Sequence, residues 1–321
     1  MTQTRPPTEF QALHDKVILI TGGKRLSFSL HREPSHRPRL PGTSGIGRAT
    51  VLHLLEYNPS HVIFCGRSRS AAEDILAVAE ASASSTRLTY LPFDLGDLWS
   101  IKAAIDSLGT SFRLDILICN GGLIFAPASV TKDGYEIHMG TNHLGHALLI
   151  RLFLPALERS PDGRIIALTS LACGLAPTTG IAFDGLKTIQ NDFWVMGRWI
   201  RYGQSKLANI LYIHSLARHH PDILALAVHP GSVDTIAGLG FVDRVLLRLM
   251  VMLTGDKWST PYEGTMNTLW AITAPRDEIT NGSLLVPIGK PETPPHPLGQ
   301  NEDLAENLWQ WTEDELRPYL S

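Results

Sequence analysis

Apolar residues in this chain fall into short unbroken runs separated by longer stretches with helical spacing. VILIT at 17–21, HVIFC at 61–65, LTYLPF at 88–93, DILICN at 115–120, GRIIALT at 163–169 and ILALAVH at 223–229 are too short for helices. Most are rich in β-branched side chains, the pattern of strands buried on both faces. Between them, SGIGRATVLHLLE, the stretch from Ala71 to Ala83, the stretch from Asp133 to Leu154 and YGQSKLANILYIHSLARHH repeat apolar residues at helical intervals. Pro261 to Thr273 predicts a further helix and SLLVP a last strand. After the proline-rich KPETPPHP comes a C-terminal helix carrying Trp309 and Trp311. Strands and helices in alternation imply right-handed crossovers and a doubly wound parallel sheet of about seven strands, covered on both faces. No linker divides the chain, so a polar, proline-bearing leader over 1–14 should be followed by one α/β domain over 15–321.

The junction between the first strand and the first helix is a glycine turn cut in two. KVILITGG is followed, after Lys24 to Gly42, by TSGIGRAT; without that insertion the turn reads Thr21, Gly22, Gly23, Thr43, Ser44, Gly45, Ile46, Gly47. Glycines let a backbone approach a pyrophosphate closely, and a helix N-terminus offers it unpaired N–H groups and a positive dipole end. Gly22, Ser44, Gly45, Ile46 and Gly47 are therefore the candidate phosphate contacts of a Rossmann-type dinucleotide-binding fold.

The insertion, KRLSFSLHREPSHRPRLPG, has five basic residues, one acid, three prolines and no apolar period, which predicts an irregular basic loop. A translated, unspliced intron would account for it. Gly23-Lys24 can be encoded GGT-AAG, containing a splice donor, and Pro41-Gly42 CCA-GGN, containing an acceptor; genomic and transcript sequence without those sites would refute this origin. Lengthening a loop about fourfold costs only on the order of 1 kcal/mol, so the sheet should still form. Separating the two glycine segments should nevertheless weaken cofactor binding relative to a chain without residues 24–42.

Composition narrows the partners. With 28 basic and 31 acidic residues, a formal charge of -3 and 44% apolar residues, the chain should bury a large core. It has no general attraction for nucleic acid or anionic lipid. Five charges in the insertion are too little to imply a nucleic-acid site, and small molecules are the expected partners. Cys65, Cys119 and Cys173 lie in apolar runs, which suits buried thiols in a reducing, cytoplasmic setting. No metal-ligand spacing appears, and the polar N-terminus argues against a secretory signal. Phe241 to Leu253 is apolar but interrupted by Asp243, Arg244 and Arg248, so it could lie on an intracellular membrane but not cross one.

Two further features carry chemistry. The second strand ends in Gly66, Arg67, Ser68. An acidic residue in this loop would accept from a ribose 2'-hydroxyl, whereas Arg67 suits a 2'-phosphate and favours NADP over NAD. Tyr202 and Lys206 lie four apart on one helix face, placing an ammonium beside a phenol. A phenol titrates near ~10, and a fixed positive charge should lower that value enough for proton exchange with an alcohol or carbonyl. Ser170, at the carboxyl end of the fifth strand, stands where ligands bind in such sheets.

The ordered set TGG...TSGIG, FDLGD at 93–97, ICNGG at 118–122, TNHLGHALL at 141–149, IIALTSLA at 165–172, YGQSK at 202–206 and HPGSVDT at 229–235 resembles the short-chain dehydrogenase/reductase family. The resemblance runs from about Lys16 to the C-terminus and is nearest the retinol-dehydrogenase-like or WW-domain-oxidoreductase-like branch. It implies that Tyr202 is the catalytic acid/base, that Ser170 orients the substrate oxygen, and that Lys206 holds the nicotinamide ribose and lowers the tyrosine pKa. Asn142 would complete a proton relay through water. Asp94 and Leu95 would flank the adenine, Asn120 the nicotinamide side of the cleft, and Pro230, Gly231, Val233 and Thr235 the nicotinamide end.

Plainer roles stand beside these. Asn142 could brace the sheet, Ser170 could be a strand-end hydroxyl, and Asp94 could cap a helix. Gly121, where the family usually has alanine, could loosen the strand end. The resemblance implies an NADP(H)-dependent oxidoreductase interconverting a carbonyl and an alcohol on an apolar retinoid, steroid or secondary-metabolite-like molecule. It also allows a homodimer paired through the long helices before strands five and six. The alternative is a nucleotide-binding or interaction protein impaired by the insertion. The residues that would shape a substrate lie in 174–201 and 236–262, where the pattern is least regular.

Overall fold

The computed structural model describes residues 12–22, 45–82, 84–191, 196–234, 241–254 and 257–320. The insertion, Ser44 and Thr235 lie outside the described residues. The apolar runs form β1 (Val17–Thr21), β2 (His61–Gly66), β3 (Arg87–Pro92), β4 (Ile116–Cys119), β5 (Arg164–Leu168) and β6 (Leu224–Val228). Between and around them lie α1 (Ile46–Leu54), α2 (Arg69–Glu80), α3 (Leu98–Asp106), α4 (Gly145–Glu158) and α5 (Gly197–His219). The chain ends in α6 (Phe241–Thr254), α7 (Met266–Thr273), β7 (Leu284–Val286), β8 (Lys290–Glu292) and α8 (Glu302–Leu316).

The eight strands form one sheet in the order β3-β2-β1-β4-β5-β6-β7-β8. All neighbours are parallel except β7 and β8. Alternate side chains of each strand enter opposite layers, because strand side chains have a period of two. On β1, Leu19 joins the layer built by α3, α4, α5 and α8, while Ile18 and Ile20 join that of α1, α2 and α7. The strand order reverses between β1 and β4, and that opening is where ligands bind in doubly wound sheets.

Three elements differ from the sequence expectation. The eighth strand, KPE, pairs antiparallel with LLV at the sheet edge, and its own three residues are all exposed and so leave no apolar pattern. The helix expected from Asp133 begins later: Glu136 bridges to Val130, residues Met139–Leu144 form a π turn, and only then does α4 run on to Glu158. The Glu136 carboxylate explains the delayed start, since it accepts from the main-chain N–H groups of His138 (3.0 Å) and Met139 (2.8 Å). The third is α5, which starts five residues before Tyr202, at Gly197.

The faces of α4 and α5 are covered within the chain by α8. Leu308, Trp309 and Leu316 of α8 share a core with both helices, and Arg151 of α4 pairs with Glu313 at 2.9 Å. Cys65, Cys119 and Cys173 are all buried thiols. Among the described residues, no helix is long and apolar enough to cross a membrane.

Candidate active site

Site residues gather where β1, β4, β5 and β6 end. At the end of β1, Gly22 has φ +85°, a left-handed conformation open mainly to glycine. The start of α1 lies against it: a Cβ on Gly47 would fall 1.6 Å from the Gly22 carbonyl oxygen. Although Lys24 to Gly42 separate them in sequence, the two glycine segments therefore meet in space. Among the described residues nothing lies within 4 Å of where a Cβ on Gly45, the residue preceding α1, would stand, and Ile46 follows as the first helical residue.

The end of β4 is tied to this turn. Asn120 donates its side-chain N–H to the carbonyls of Thr21 (2.7 Å) and Gly22 (3.2 Å), so its amide braces the turn. Thr21 Oγ1 accepts from the main-chain N–H groups of Asn120 (3.0 Å) and Gly121 (2.9 Å). The expected loosening at Gly121 is thus replaced by a knitted strand end. Leu95 packs beside it, 2.8 Å from where a Gly121 Cβ would lie.

On the adenosine side, Arg67 follows β2 and Asp94 follows β3, joined by a 3.2 Å ion pair in which both side chains are well exposed. Asp94 does not cap the next helix. Asp97 does so by accepting from the Ser100 N–H, because Asp94 sits one turn too early and turns one oxygen to the Gly96 N–H.

The centre of the site lies on α5. Gly203 lets this helix press against the turn after β5, since a Cβ there would come within 2.6 Å of the Ala172 carbonyl oxygen. That approach brings Tyr202 beside Ser170, whose side chain favours the phenolate. Ser170 also accepts from the Ala172 N–H at 3.2 Å. One turn along α5, Lys206 Nζ donates to the Leu168 carbonyl at 2.9 Å, and Thr169 Oγ1 donates to the Lys206 carbonyl at 2.8 Å. Tyr202 and Lys206 are only 7% and 6% exposed.

Burial governs both titrations. Burial pushes Tyr202 up to about 12, with the neighbouring Ser170 side chain working against the shift, and brings Lys206 down to about 8. This corrects the expectation that Lys206 lowers the phenol. Its ammonium is aimed at the Leu168 carbonyl and lies 5.7 Å from the Tyr202 ring centroid, so desolvation of the phenol outweighs it.

Asn142 lies in the π turn and is fully buried. Its Oδ1 accepts from the Leu123 N–H at 2.7 Å, and its Nδ2 donates to the Leu123 carbonyl at 3.0 Å and to Ser205 Oγ at 2.9 Å. The side chain is a brace between the loop after β4 and α5. Beyond β6, Gly231 has φ +87° and Val233 is buried; Asn267, which no motif marked, donates to the His229 carbonyl at 2.7 Å and fixes the residue before Pro230.

Over Tyr202 stands an aromatic wall built on Phe125, a residue that no motif marked. Phe125 stacks on Trp199 with ring centroids 3.8 Å apart and meets the Tyr202 ring edge-on at 5.1 Å; Leu247 of α6 packs on the same cluster. Phe125 has φ +50°, held by the next residue, whose N–H donates to His138 Nε2 at 2.9 Å. His138 is buried on Glu136 at 3.0 Å, and Arg201 reaches the same carboxylate at 3.4 Å. The segment before α5 is clamped by Gln204, which accepts from the Ala182 N–H at 2.9 Å and donates to Gln190 at 3.0 Å. These polar residues resemble ordinary helix-surface residues in sequence. Only the fold reveals their partners.

A family model described as short chain dehydrogenase matches residues 41–185. The chain is 31% identical to the short-chain dehydrogenase TIC 32 A, chloroplastic, of Brassica napus, with 84% of this chain and 85% of that protein covered. It is 30% identical to retinol dehydrogenase 14 of Mus musculus, with 94% and 86% covered. Among solved structures, NADPH-bound carbonyl reductase from chicken fatty liver has the same fold, with a TM-score of 0.62, 22% identity and coverage of 89% of this chain and 97% of that one. The chain belongs to the short-chain dehydrogenase/reductase family of oxidoreductases.

Proposed function

We propose that this chain is an NADP(H)-dependent oxidoreductase that interconverts a ketone or aldehyde and its alcohol on an apolar small molecule of retinoid, steroid or secondary-metabolite type. The observation that carries the reading is Tyr202 standing beside Ser170 beneath an apolar wall, with Lys206 one helical turn away. The residues around the β1 turn fit a dinucleotide. Gly22 and Gly47 approach closely, as a phosphate cradle requires, and no described residue crowds Gly45 at the helix start. A nicotinamide bound in this cleft supplies or accepts the hydride.

The chain's own groups handle the oxygen and its proton. Ser170 would hold the substrate oxygen, and Tyr202 would donate to it in reduction. A phenol held at about 12 is protonated near neutrality, the state needed for a donor. Lys206 would hold the ribose and steady the phenolate left after transfer. Arg67 would meet a 2'-phosphate; its exposed pairing with Asp94 is weak enough to be exchanged for that stronger partner. The NADPH of the chicken carbonyl reductase supports the cofactor choice, and the retinol dehydrogenase name supports an apolar alcohol or carbonyl.

NADPH titration followed by turnover of all-trans-retinal, a 3-ketosteroid and an aryl ketone tests the reading. Tyr202→Phe should abolish turnover while leaving NADPH binding within about twofold, because the phenolic proton and not the ring is removed. Substantial residual turnover would refute the Ser-Tyr-Lys assignment. NADPH binding without turnover of any carbonyl in the wild-type chain would favour a nucleotide-binding role.

A further inference from the structure

In TNHLGHALL the proposed chemistry leaves His146 without a task, yet this buried residue lies between the two halves of the site. Its Nε2 is 2.8 Å from Thr21 Oγ1 and its Nδ1 is 2.9 Å from the main-chain oxygen of Asn142. Counting protons gives each bond a direction. Thr21 Oγ1 already accepts from the N–H groups of Asn120 and Gly121, which occupies its two lone pairs, so its own proton points to His146 Nε2. Nε2 is then unprotonated, and the ring carries its proton on Nδ1 and donates it to the Asn142 carbonyl, a group that can only accept.

The surroundings preserve that tautomer. Burial, with Lys206 of α5 adding to it, holds His146 down at about 4, and His143, the titratable neighbour on its own side of the fold, is held at about 3 by burial. The side chain of Asn142 is committed to Leu123 and Ser205, so its main-chain carbonyl is what it can offer to proton transfer. Asn142 stands close to Lys206: a Cβ on Gly122 would lie 2.8 Å from the committed Asn142 Oδ1 and 3.8 Å from Lys206 Nζ.

We propose that His146 is a positioning residue for proton delivery, fixing and polarising the Asn142 carbonyl through Nδ1–H and anchoring it through Nε2 to Thr21 at the root of the phosphate-side turn. The geometry joins the cofactor turn to the proton relay through one imidazole. This role rests on the Ser-Tyr-Lys reading, and its consequences are separable from it. His146→Leu removes both bonds, whereas His146→Gln can accept from Thr21 and donate to Asn142; Thr21→Val is no clean control, since it also takes the acceptor from the Asn120 and Gly121 N–H groups.

The test measures kcat, KM and the solvent deuterium isotope effect with NADPH and whichever of all-trans-retinal, the 3-ketosteroid or the aryl ketone turns over. His146→Leu should lower kcat about tenfold with KM within about twofold and a larger isotope effect, and His146→Gln should recover to within about threefold. Unchanged kcat in His146→Leu would overturn the proposal, as would a loss explained by less folded protein with an unaltered isotope effect. Tyr202→Phe, run in parallel, separates the two ideas: if it stays active, the catalytic reading fails. If it is inactive while His146→Leu is normal, only the positioning role fails. Long-range ¹⁵N–¹H spectra of the full chain, assigned by difference from His146→Gln, give a readout independent of turnover. A neutral Nδ1–H ring is expected throughout the neutral range, and an Nε2–H ring would overturn the proposal.

Discussion

The proton side and the substrate side of the cleft are held by different kinds of partner. Lys206 is fixed to a main-chain carbonyl at Leu168, and Asn142 to both main-chain groups of Leu123. The aromatic wall depends on side chains: Asp243 of α6 accepts from Arg198 at 2.7 Å and from Trp199 Nε1 at 3.3 Å, and Leu247 reaches the Phe125–Trp199–Tyr202 cluster. Main-chain acceptors survive substitution of the residues that carry them, whereas a side-chain latch is lost with one residue. Lys206 and Asn142 are therefore rigidly placed, whereas the wall hangs on side-chain contacts that one substitution can release.

The largest effect should come from breaking the proton side. Lys206→Met should lower turnover by about 10³-fold or more, since it removes the charge beside the phenol and the bond to Leu168. The wild-type pH profile tests the same point. Lys206 is charged below about 8 and loses its charge as pH rises through that value, whereas Tyr202 keeps its proton until about 12. Carbonyl reduction should thus be fastest below about 8 and decline above it, before the phenol itself ionises. A reduction rate flat to alkaline pH would show that the Lys206 charge is not used.

Next in size is the cofactor turn. Gly47→Ala would place a Cβ 1.6 Å from the Gly22 carbonyl oxygen, a contact that only backbone movement relieves. Weakening of NADPH binding by about a hundredfold is expected, since the phosphate donors move with the backbone. Isothermal titration should show this with little change in the wall. The same titration on the chain without Lys24 to Gly42 should give tighter binding than the full chain, and equal dissociation constants would show that the insertion does not touch the cofactor turn.

How much of this was legible follows the same division. The central strands were readable because each is apolar on both faces, and the meeting of Tyr202, Lys206 and Ser170 because helix spacing and strand-end position constrain them directly. The edge strand β8 was hidden because its exposed KPE has no core to mark it. Asp97 was hidden behind Asp94 because two acids three apart compete for one cap. Phe125, Asp243 and Asn267 act through residues distant in sequence, and no local pattern specifies such partners. The titration of Tyr202 was misjudged for a related reason: spacing shows that a lysine is near, but not that its ammonium is aimed at Leu168.

Breaking the wall should have a smaller effect, and of a different kind. Asp243→Ala leaves the Trp199 indole N–H and the Arg198 guanidinium without this acceptor and releases α6 from the start of α5. KM for an apolar carbonyl should rise about tenfold while kcat stays within about threefold and NADPH affinity is unchanged. An equal fall in kcat and in NADPH affinity would show that the latch supports the whole site and would remove the distinction between the two sides.

The smallest effect should come from Gly121→Ala, the position where the family usually has alanine. An added Cβ would lie 2.8 Å from Leu95 Cδ1, 3.3 Å from Thr21 Oγ1 and 3.4 Å from the Gly22 nitrogen. Only the first contact is too short, and its partner is the end of a flexible side chain, so Leu95 can turn away while the backbone stays in place. The hydrogen bonds to Thr21 use main-chain N–H groups and remain. Alanine also lowers the entropy of the unfolded chain, offsetting part of the repacking cost. A net stability change within about 1 kcal/mol and NADPH binding within about twofold are expected, measured by urea denaturation and titration. A loss as large as that of Gly47→Ala would mean that Leu95 is as immovable as the backbone, and that side-chain packing is no softer than main-chain bonding on the cofactor side of the cleft.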